Sequence, residues 1–217
     1  MTARVLSPNE VREILTELVK RLAVRGSAGA IHVIGGAAIA LINPDRVATQ
    51  DVDGFIRIAD AQDVLDELAR DYGLTPDWFN WRAQGLQPPI GGPEMWHDVV
   101  REGSVVLQVA NTDALLAMKL NAARARDTAD IAWLLSALKI TDFEVAERIF
   151  EEYYPGDALK PVAQERLKFA LESNAQAADE LRRPELVRAL REVDDYYRGQ
   201  PAPASEAIAE MYPPEEH

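Results

Sequence analysis

The sequence predicts a mixed α/β (α+β) fold, in which a small mixed β-sheet with flanking helices is followed by an α-helical C-terminal subdomain. Two observations predict this class. Short apolar runs with strand patterning alternate with helical patterns in the first half of the chain, and from Thr112 onward the pattern is helical almost to the end. The expected strands are 31–34, 51–58 and 104–110.

The helices of the first half have recognisable ends. Residues 9–25 carry apolar side chains at helical spacing, and Ser7-Pro8 is a suitable start. Residues 37–42 have the pattern of a short helix that Pro44 ends. Asp60 has the chemistry of an N-cap for a helix to about Tyr72, which Gly73 ends.

The rest of the chain is divided by proline and glycine. Residues 74–97 are rich in Pro, Gly and Trp and predict a long loop with one short extended stretch. Breaks in the helical half are expected at Pro155-Gly156, Pro161 and Pro184, and a frayed tail from Gly199. We therefore expect a catalytic core at 1–111 and a helical subdomain at 112–217.

Composition excludes several classes of protein. The 217 residues contain no cysteine, which excludes disulfides, zinc–thiolate sites and thiol catalysis. No apolar run is long enough for a transmembrane helix, and the first residues lack a signal-peptide pattern, so a cytoplasmic protein without a membrane partner is expected. The net charge of −13 argues against indiscriminate binding of nucleic acid. Much of the excess lies in 141–217, with 18 acids and 9 bases, so a local basic pocket nearer the N-terminus remains open.

Asp51 and Asp53 are the first candidate site residues. They lie two apart on an expected strand, so both side chains point to one face. Neighbouring carboxylates repel each other unless a cation lies between them, and Mg²⁺ binds through one or two carboxylates together with substrate phosphates. The other interpretation is a pair of solvent-facing acids on an edge strand.

Gly35 and Gly36 are the second candidate. A strand, two glycines and a helix place backbone N–H groups at a helix N-terminus, where they attract phosphate. The other interpretation is a tight turn that requires positive φ.

Together these features resemble a known family. The stretch HVIGGAAIALINPDRVATQDVDGFI (32–56) is similar to the glycine turn and D-x-D strand of the DNA polymerase β-like nucleotidyltransferase superfamily. The stretch LLAMKLNAARARDTADIAWLL (115–135) is similar to the Lys and R-x-R-D-x-x-D motif of its AbiEii and MenT toxins. The resemblance implies transfer of a nucleoside monophosphate from an NTP, with Mg²⁺ as cofactor. It also implies a tRNA 3′ end as acceptor, inhibition of translation and an antitoxin partner.

The same resemblance assigns roles to residues of the second block. Lys119 is expected to contact the nucleotide phosphates, with Arg46, Thr49 and Arg126 as further nucleotide-binding residues. One acid of the R-x-R-D-x-x-D segment is expected to complete the site. Asp130 is preferred for orienting Lys119 or an arginine, and Asp127 for a cap or base.

The geometry of this block has two alternatives. On one continuous helix, Lys119 and Asp130 would lie on the same face but about three turns, roughly 16 Å, apart. A break near 124–127 would make Asp127 an N-cap and would let the two pieces fold towards each other.

Two departures from the family pattern suggest a member that has lost catalysis. Ala37 follows the glycines where many members have Ser, and the strand 104–110 offers only Gln108 in place of a third carboxylate. One alternative is therefore a nucleotide-binding module that has lost catalysis. A separate alternative is a nucleotidyltransferase of the same fold that acts on a small molecule or a protein.

The remaining aromatic residues have a structural and a functional interpretation. Trp78, Phe79, Trp81 and Trp96 frame the 74–97 loop, which also carries Arg82. They are expected to anchor the loop in the core, and stacking on a nucleobase or an unpaired 3′ end is the alternative. His32 lies within an apolar strand and is expected to be a core residue whose hydrogen bonds are satisfied.

Overall fold

The computed structural model describes residues 5–43, 46, 49, 51–81 and 87–181. It confirms the fold class, because five strands form one mixed sheet accompanied by helices. The strands are Gly29–Val33 (β1), Val52–Ile56 (β2), Phe79–Asn80 (β3), Trp96–Glu102 (β4) and Val105–Ala110 (β5). The helices are Pro8–Val24 (α1), Gly35–Ile42 (α2), Ala61–Tyr72 (α3), Thr112–Ala122 (α4), Thr128–Ala137 (α5), Phe143–Tyr153 (α6) and Pro161–Leu181 (α7).

The strand order β3-β2-β1-β5-β4 places β1 at the centre of the sheet. Strand β1 is antiparallel to β2 and parallel to β5, while β3 is parallel to β2 and β4 is antiparallel to β5. Because β1 and β2 run in opposite directions, the end of β1 lies beside the start of β2, where Val33 pairs with Gly54. The pairing therefore brings the diglycine turn and the acid pair to the same edge of the sheet.

The predicted start of α1 and end of α3 are confirmed, whereas Asp60 occupies the N-cap position of α3 but makes no side-chain capping hydrogen bond. Ser7 caps α1 with a capping box, in which its hydroxyl accepts from the Glu10 amide and Glu10 accepts from the Ser7 amide. Gly73 ends α3 in the left-handed conformation, with φ 62°. Helix α1 buries one face and packs on α2, α3, β4 and β5. This packing fixes the sheet edge that carries the candidate site.

The prediction of a loop over 74–97 is wrong at its C-terminal end. The short extended stretch is β3, but Trp96 and His97 begin the seven-residue strand β4. Strand β4 forms a hairpin with β5 through Gly103, whose φ is 54°. A bulge between Asp98 and Val100 shifts the register and breaks the alternation that marks a strand in the sequence.

The helical half begins at Thr112, as predicted, and Pro155-Gly156 lies between α6 and α7. The chain divides into two compact units, Met1–Glu172 and Ser173–His217. The functional division into 1–111 and 112–217 stays a prediction. Pro44, Arg82, Pro184 and the tail from Gly199 lie outside the described residues. Within the described ranges, no helix has the length and apolarity needed to cross a bilayer.

Candidate active site

The diglycine turn lies directly against the acid pair. Gly35 adopts a φ of 64°, and a Cβ at this position would lie 2.8 Å from Asp53 Oδ2. Only glycine combines this left-handed backbone with so close an approach. The positive φ that the alternative interpretation requires is therefore present at Gly35, and the turn lies against Asp53.

Gly36 lies below two polar side chains of the connection between α2 and β2. A Cβ on Gly36 would lie 3.0 Å from Arg46 Nη2 and 3.1 Å from Thr49 Oγ1. Ile34, the N-cap of α2, has no side-chain acceptor, so it caps none of the first N–H groups of the helix. These groups and the Arg46 guanidinium form a setting that favours an anion. Ala37 is fully buried and adds no hydroxyl.

Asp51 and Asp53 interact electrostatically. Asp53 lies on β2 and Asp51 immediately precedes that strand. Burial, and next the negative charge of Asp51, raise the pKa of Asp53, while the Asn80 hydrogen bond and the charges of Arg124 and Lys119 act in the opposite direction. The net effect is a raised pKa, because an ionised Asp53 is partly removed from water beside a second anion.

Asn80 is a site residue that the sequence reasoning missed. Strand β3 lies beside β2 with Asp53 and Asn80 as register partners, and Asn80 Nδ2 donates a hydrogen bond of 2.7 Å to Asp53 Oδ1. The later strand next to the acid pair is therefore β3. Gln108, the residue considered for a third carboxylate, lies on β5 and donates instead to Asp98.

The helix that carries Lys119 ends before residue 124, which agrees with the alternative of a break near 124–127. Helix α4 ends at Ala122, Ala123 adopts a left-handed φ of 45°, and a 3₁₀ turn at Ala125–Asp127 leads into α5. Lys119 Nζ then lies 2.6 Å from Asp127 Oδ1 and 2.8 Å from Asp130 Oδ2. The single continuous helix is excluded.

Both acids of the R-x-R-D-x-x-D segment bind Lys119. Asp127 occupies the N-cap position of α5, but its side chain makes no capping hydrogen bond and is directed to Lys119 instead. Lys119 is 9% exposed and Asp127 is 3% exposed, so this is a buried ion pair. Asp130 also pairs with Arg46, in agreement with its expected role of orienting Lys119 or an arginine.

Arg46 connects the diglycine turn to this network. Its Nη1 donates to Asp130, and its Nη2 lies above Gly36. Its Nε is buried and has no hydrogen-bond partner among the described residues. A buried donor without a partner is unfavourable, and a ligand acceptor in the cavity would satisfy it.

One cavity of about 410 Å³ brings these groups together. Arg124 and Arg126 lie at its exposed rim, and the Lys119 network forms its buried part. Gly35 contacts Asp53 without lining this cavity. Nine of the ten residues predicted for the site line it, namely Gly36, Arg46, Thr49, Asp51, Asp53, Lys119, Arg126, Asp127 and Asp130.

A second cavity of about 550 Å³ meets the first at Asp51. It is lined by Gln62 and Leu65 of α3 and by the segment 75–81. Among the described residues of this lining there are two acids, Asp51 and Asp77, and no Lys or Arg. The second cavity is therefore suited to a neutral or cationic group.

The aromatic residues separate into two groups. Trp78 and Phe79 are buried, and Trp78 Nε1 donates to Leu65 O at 3.2 Å, so these residues anchor the segment as expected. Trp81 lies edge-on to Phe79 and lines the second cavity. Trp96 lies apart from this group and packs on His32.

The donor set fits a hard divalent cation at Asp51 and Asp53. Both carboxylates line the cavity, and the charge of Asp51 already raises the pKa of Asp53, a repulsion that a cation would relieve. Asp127 and Asp130 are engaged with Lys119. No group of three metal-ligating side chains was found among the residues that the structure describes, so two carboxylates and substrate oxygens would have to suffice.

No protein-family model and no curated protein matches the chain significantly. The resemblance to nucleotidyltransferase toxins therefore remains a hypothesis, and a functional proposal has to be based on the geometry of the site.

Proposed function

We propose that the protein is a magnesium-dependent nucleotidyltransferase, which transfers a nucleoside monophosphate from an NTP to an acceptor hydroxyl and releases pyrophosphate. The proposal rests on one observation, which is that Gly36 of the diglycine turn, the acid pair and the Lys119 network line the same cavity. The sequence motifs suggest the reaction class, and this convergence supports it independently of sequence similarity.

Each group of the cavity has a role in this reaction. Asp51 and Asp53 would hold Mg²⁺, which when bound would polarise the reacting phosphate. The turn at Gly36, with Arg46 above it, would bind the phosphates through N–H donors. Arg124 and Arg126 are exposed and would neutralise the outer phosphates.

Lys119 has only part of its ammonium group available for phosphate binding. Two of its three ammonium N–H groups can be taken by Asp127 and Asp130, so one remains for a phosphate oxygen in the cavity. Its fixed position supplies positive charge without reorganisation, which is the property that stabilises charge developing in a transition state.

The acceptor would enter from the second cavity, because that cavity reaches the first at Asp51. A tRNA 3′ end is the acceptor that the family resemblance implies, together with a toxin role and an antitoxin partner. The acidic and amide lining of the second cavity favours a different acceptor, a neutral or cationic small molecule with a hydroxyl group. These are two candidate functions of one enzyme type.

A transfer assay decides between them. We expect label from an α-³²P NTP to move to one of three acceptor pools in the presence of Mg²⁺: total tRNA, protein, or small hydroxyl compounds. Label on tRNA supports the toxin function, and label on a small acceptor supports the alternative. Asp51→Asn should abolish transfer, while Asp157→Asn, the same change at an exposed loop position, should not.

Two results would contradict the proposal. Folded wild-type protein that binds NTP but labels no pool and releases no pyrophosphate would be a nucleotide-binding module without catalysis. Equal labelling by the wild type and Asp51→Asn would place the chemistry elsewhere.

In cells, slower growth with the wild type but not with Asp51→Ala is expected if the protein is a toxin.

Asn80 provides a second test of the acid pair. We expect Asn80→Ala to weaken Mg²⁺ affinity by about tenfold, because the side chain that holds Asp53 Oδ1 is lost, and groups that orient metal ligands are typically worth this much. Titration of Mg²⁺ monitored by thermal unfolding measures the effect. Asn9→Ala, at an exposed position of α1, is the matched control. Unchanged Mg²⁺ affinity in Asn80→Ala would mean that Asp53 does not bind the cation.

A further inference from the structure

A third cavity, of about 430 Å³, lies on the sheet and shares no lining residue with the candidate active site. Its floor contains Phe55, His32 and Gln108, which are register partners across β2, β1 and β5. These side chains alternate along the strands with Ile31 and Val33 and therefore point to the opposite face of the sheet. Residues of the 87–96 segment form the rest of the lining. We call this space the sheet-face cavity.

Aromatic rings form one side of the sheet-face cavity. His32 stacks on Phe55 with ring centroids 4.5 Å apart, and Trp96 lies edge-on to His32 at 4.3 Å. The Arg57 guanidinium lies 5.8 Å from the centroid of Phe55. Such a surface suits a flat ring, which can pack on aromatic groups with little loss of conformational entropy.

Two buried polar atoms in the lining are unpaired. His32 Nδ1 and Gln87 Nε2 have no hydrogen-bond partner within the described ranges, and His32 is only 8% exposed. His32 is buried as expected, but the expectation that its hydrogen bonds are satisfied is wrong at Nδ1. Its ring is held by a hydrogen bond to Gln108, which in turn donates to Asp98 at 2.8 Å, and this fixes the ring while Nδ1 stays unpaired. Buried polar atoms normally have partners, so a bound molecule is a natural source of them.

The charge of the sheet-face cavity is opposite to that of the chain. The net charge of the protein is −13, yet the described lining contains Arg57 and no Asp or Glu. Burial, and next the charge of Arg57, lower the pKa of His32 to about 4, so its ring is neutral near neutral pH. The cavity thus presents one cation, one neutral imidazole and one amide donor.

We propose that the sheet-face cavity is a second ligand site, for a planar heteroaromatic molecule that carries an anionic group. The ring packs against Trp96 and Phe55, its polar edge pairs with His32 Nδ1 and Gln87 Nε2, and its anionic group binds Arg57. A volume of about 430 Å³ is within the range of sites for molecules of the size of a nucleoside monophosphate. The proposal does not depend on the transferase function.

Binding of defined probes to the full-length protein tests this site. The probes are the four ribonucleoside 5′-monophosphates and indole-3-carboxylate, with inorganic phosphate and adenosine as single-feature controls. The chain contains three histidines, so long-range ¹H–¹⁵N spectra can follow the imidazole of His32 separately. We expect at least one anionic ring probe to shift the His32 Nδ1 signal and to leave that of His97 unchanged. Comparison of the affinities of the monophosphates and of indole-3-carboxylate then shows whether the site prefers a phosphate or a carboxylate group.

Matched variants locate the bound probe. Arg57→Gln should weaken binding at least about tenfold through loss of a charge-assisted contact, and Gln87→Ala should weaken it less. Arg124→Gln, the same change in the candidate active site, should leave the probe-induced shift of the His32 Nδ1 signal unchanged, because Arg124 does not line the sheet-face cavity. The proposal is overturned if no probe shifts His32 up to about 10 mM, a weak limit even for small ligands. It is equally overturned if inorganic phosphate shifts the His32 signal with the same affinity as the ring anions, or if Arg124→Gln removes the His32 shift and Arg57→Gln does not.

Discussion

Replacing Lys119 by methionine should lower the free energy of unfolding by about 3 kcal/mol, the lower end of the range for removal of one partner of a buried ion pair. Methionine keeps much of the side-chain volume, so the loss arises from charge. Asp127, which is 3% exposed, and Asp130 would then face each other with Arg46 as the remaining partner of Asp130. Chemical denaturation of the two chains measures the difference.

The Lys119 prediction has two controls. Lys20→Met, at an exposed position of α1, makes the same chemical change outside the network and should alter stability by less than about 0.5 kcal/mol. The double change of Lys119→Met with Asp127→Asn should recover part of the loss, because the buried charge that was left unpaired is also removed. If Lys119→Met were as stable as the wild type, the network would not hold α4 and α5 together.

Restoration of stability would not restore the proposed activity. The double variant lacks the ammonium group at the cavity, so nucleotidyl transfer should stay low even where the fold recovers. This separation of stability from activity distinguishes a structural salt bridge from a group that acts on a substrate.

The sequence predicts the diglycine turn and the acid pair, because both are visible in the local sequence pattern. Gly35 and Gly36 follow a buried strand and begin a helix, and Asp51 and Asp53 lie on either side of Val52, the first residue of the next strand. Because consecutive strands usually pair, the diglycine turn and the acid pair can be expected to lie close together. The antiparallel pairing of β1 and β2 is the arrangement that brings them together.

The end of α4 could not be predicted from local preferences. Ala122 and Ala123 belong to the residue type with the highest helix propensity, yet Ala123 adopts a left-handed conformation that disfavours residues other than glycine. The ion pairs of Lys119 with Asp127 and Asp130 form only when the chain turns here. Sequence reasoning could state the broken helix as an alternative, but these tertiary contacts select it.

The position of Asn80 was hidden for a related reason. Strand β3 has only two residues, and its place beside β2 follows from a parallel connection through α3 rather than from its own pattern. The strand most visible in the sequence, 104–110, pairs with β1 and β4 instead. The partner of Asp53 thus depends on sheet order, which a single sequence does not reveal.

Asp53→Asn should reduce nucleotidyl transfer by about a thousandfold and at the same time stabilise the metal-free protein at neutral pH. The first effect follows from loss of one of two cation ligands, since a catalytic metal contributes several kcal/mol to transition-state stabilisation. The second follows from the raised pKa of Asp53, which burial and the charge of Asp51 cause. Asparagine keeps the shape and can still accept the hydrogen bond of Asn80 through its oxygen.

The stability effect has a defined dependence on pH. Because the pKa of Asp53 is higher in the folded than in the unfolded protein, the folded state binds more protons between the ordinary and the raised value. The stability that Asp53 contributes therefore falls as pH rises through this window, and the penalty is complete above the raised pKa. The wild type and Asp53→Asn should converge in stability as the pH falls below the ordinary value for aspartate.

Mg²⁺ should reverse the order of the two proteins at neutral pH. A cation that binds only the folded state stabilises it by mass action, and this gain is available to the wild type but not to Asp53→Asn. Asp157→Asn, at an exposed loop, should behave as the wild type in every condition. Thermal unfolding with and without Mg²⁺ at two pH values gives the comparison. An Asp53→Asn variant that is less stable than the wild type without metal, or equally stabilised by Mg²⁺, would show that Asp53 serves the fold rather than a cation.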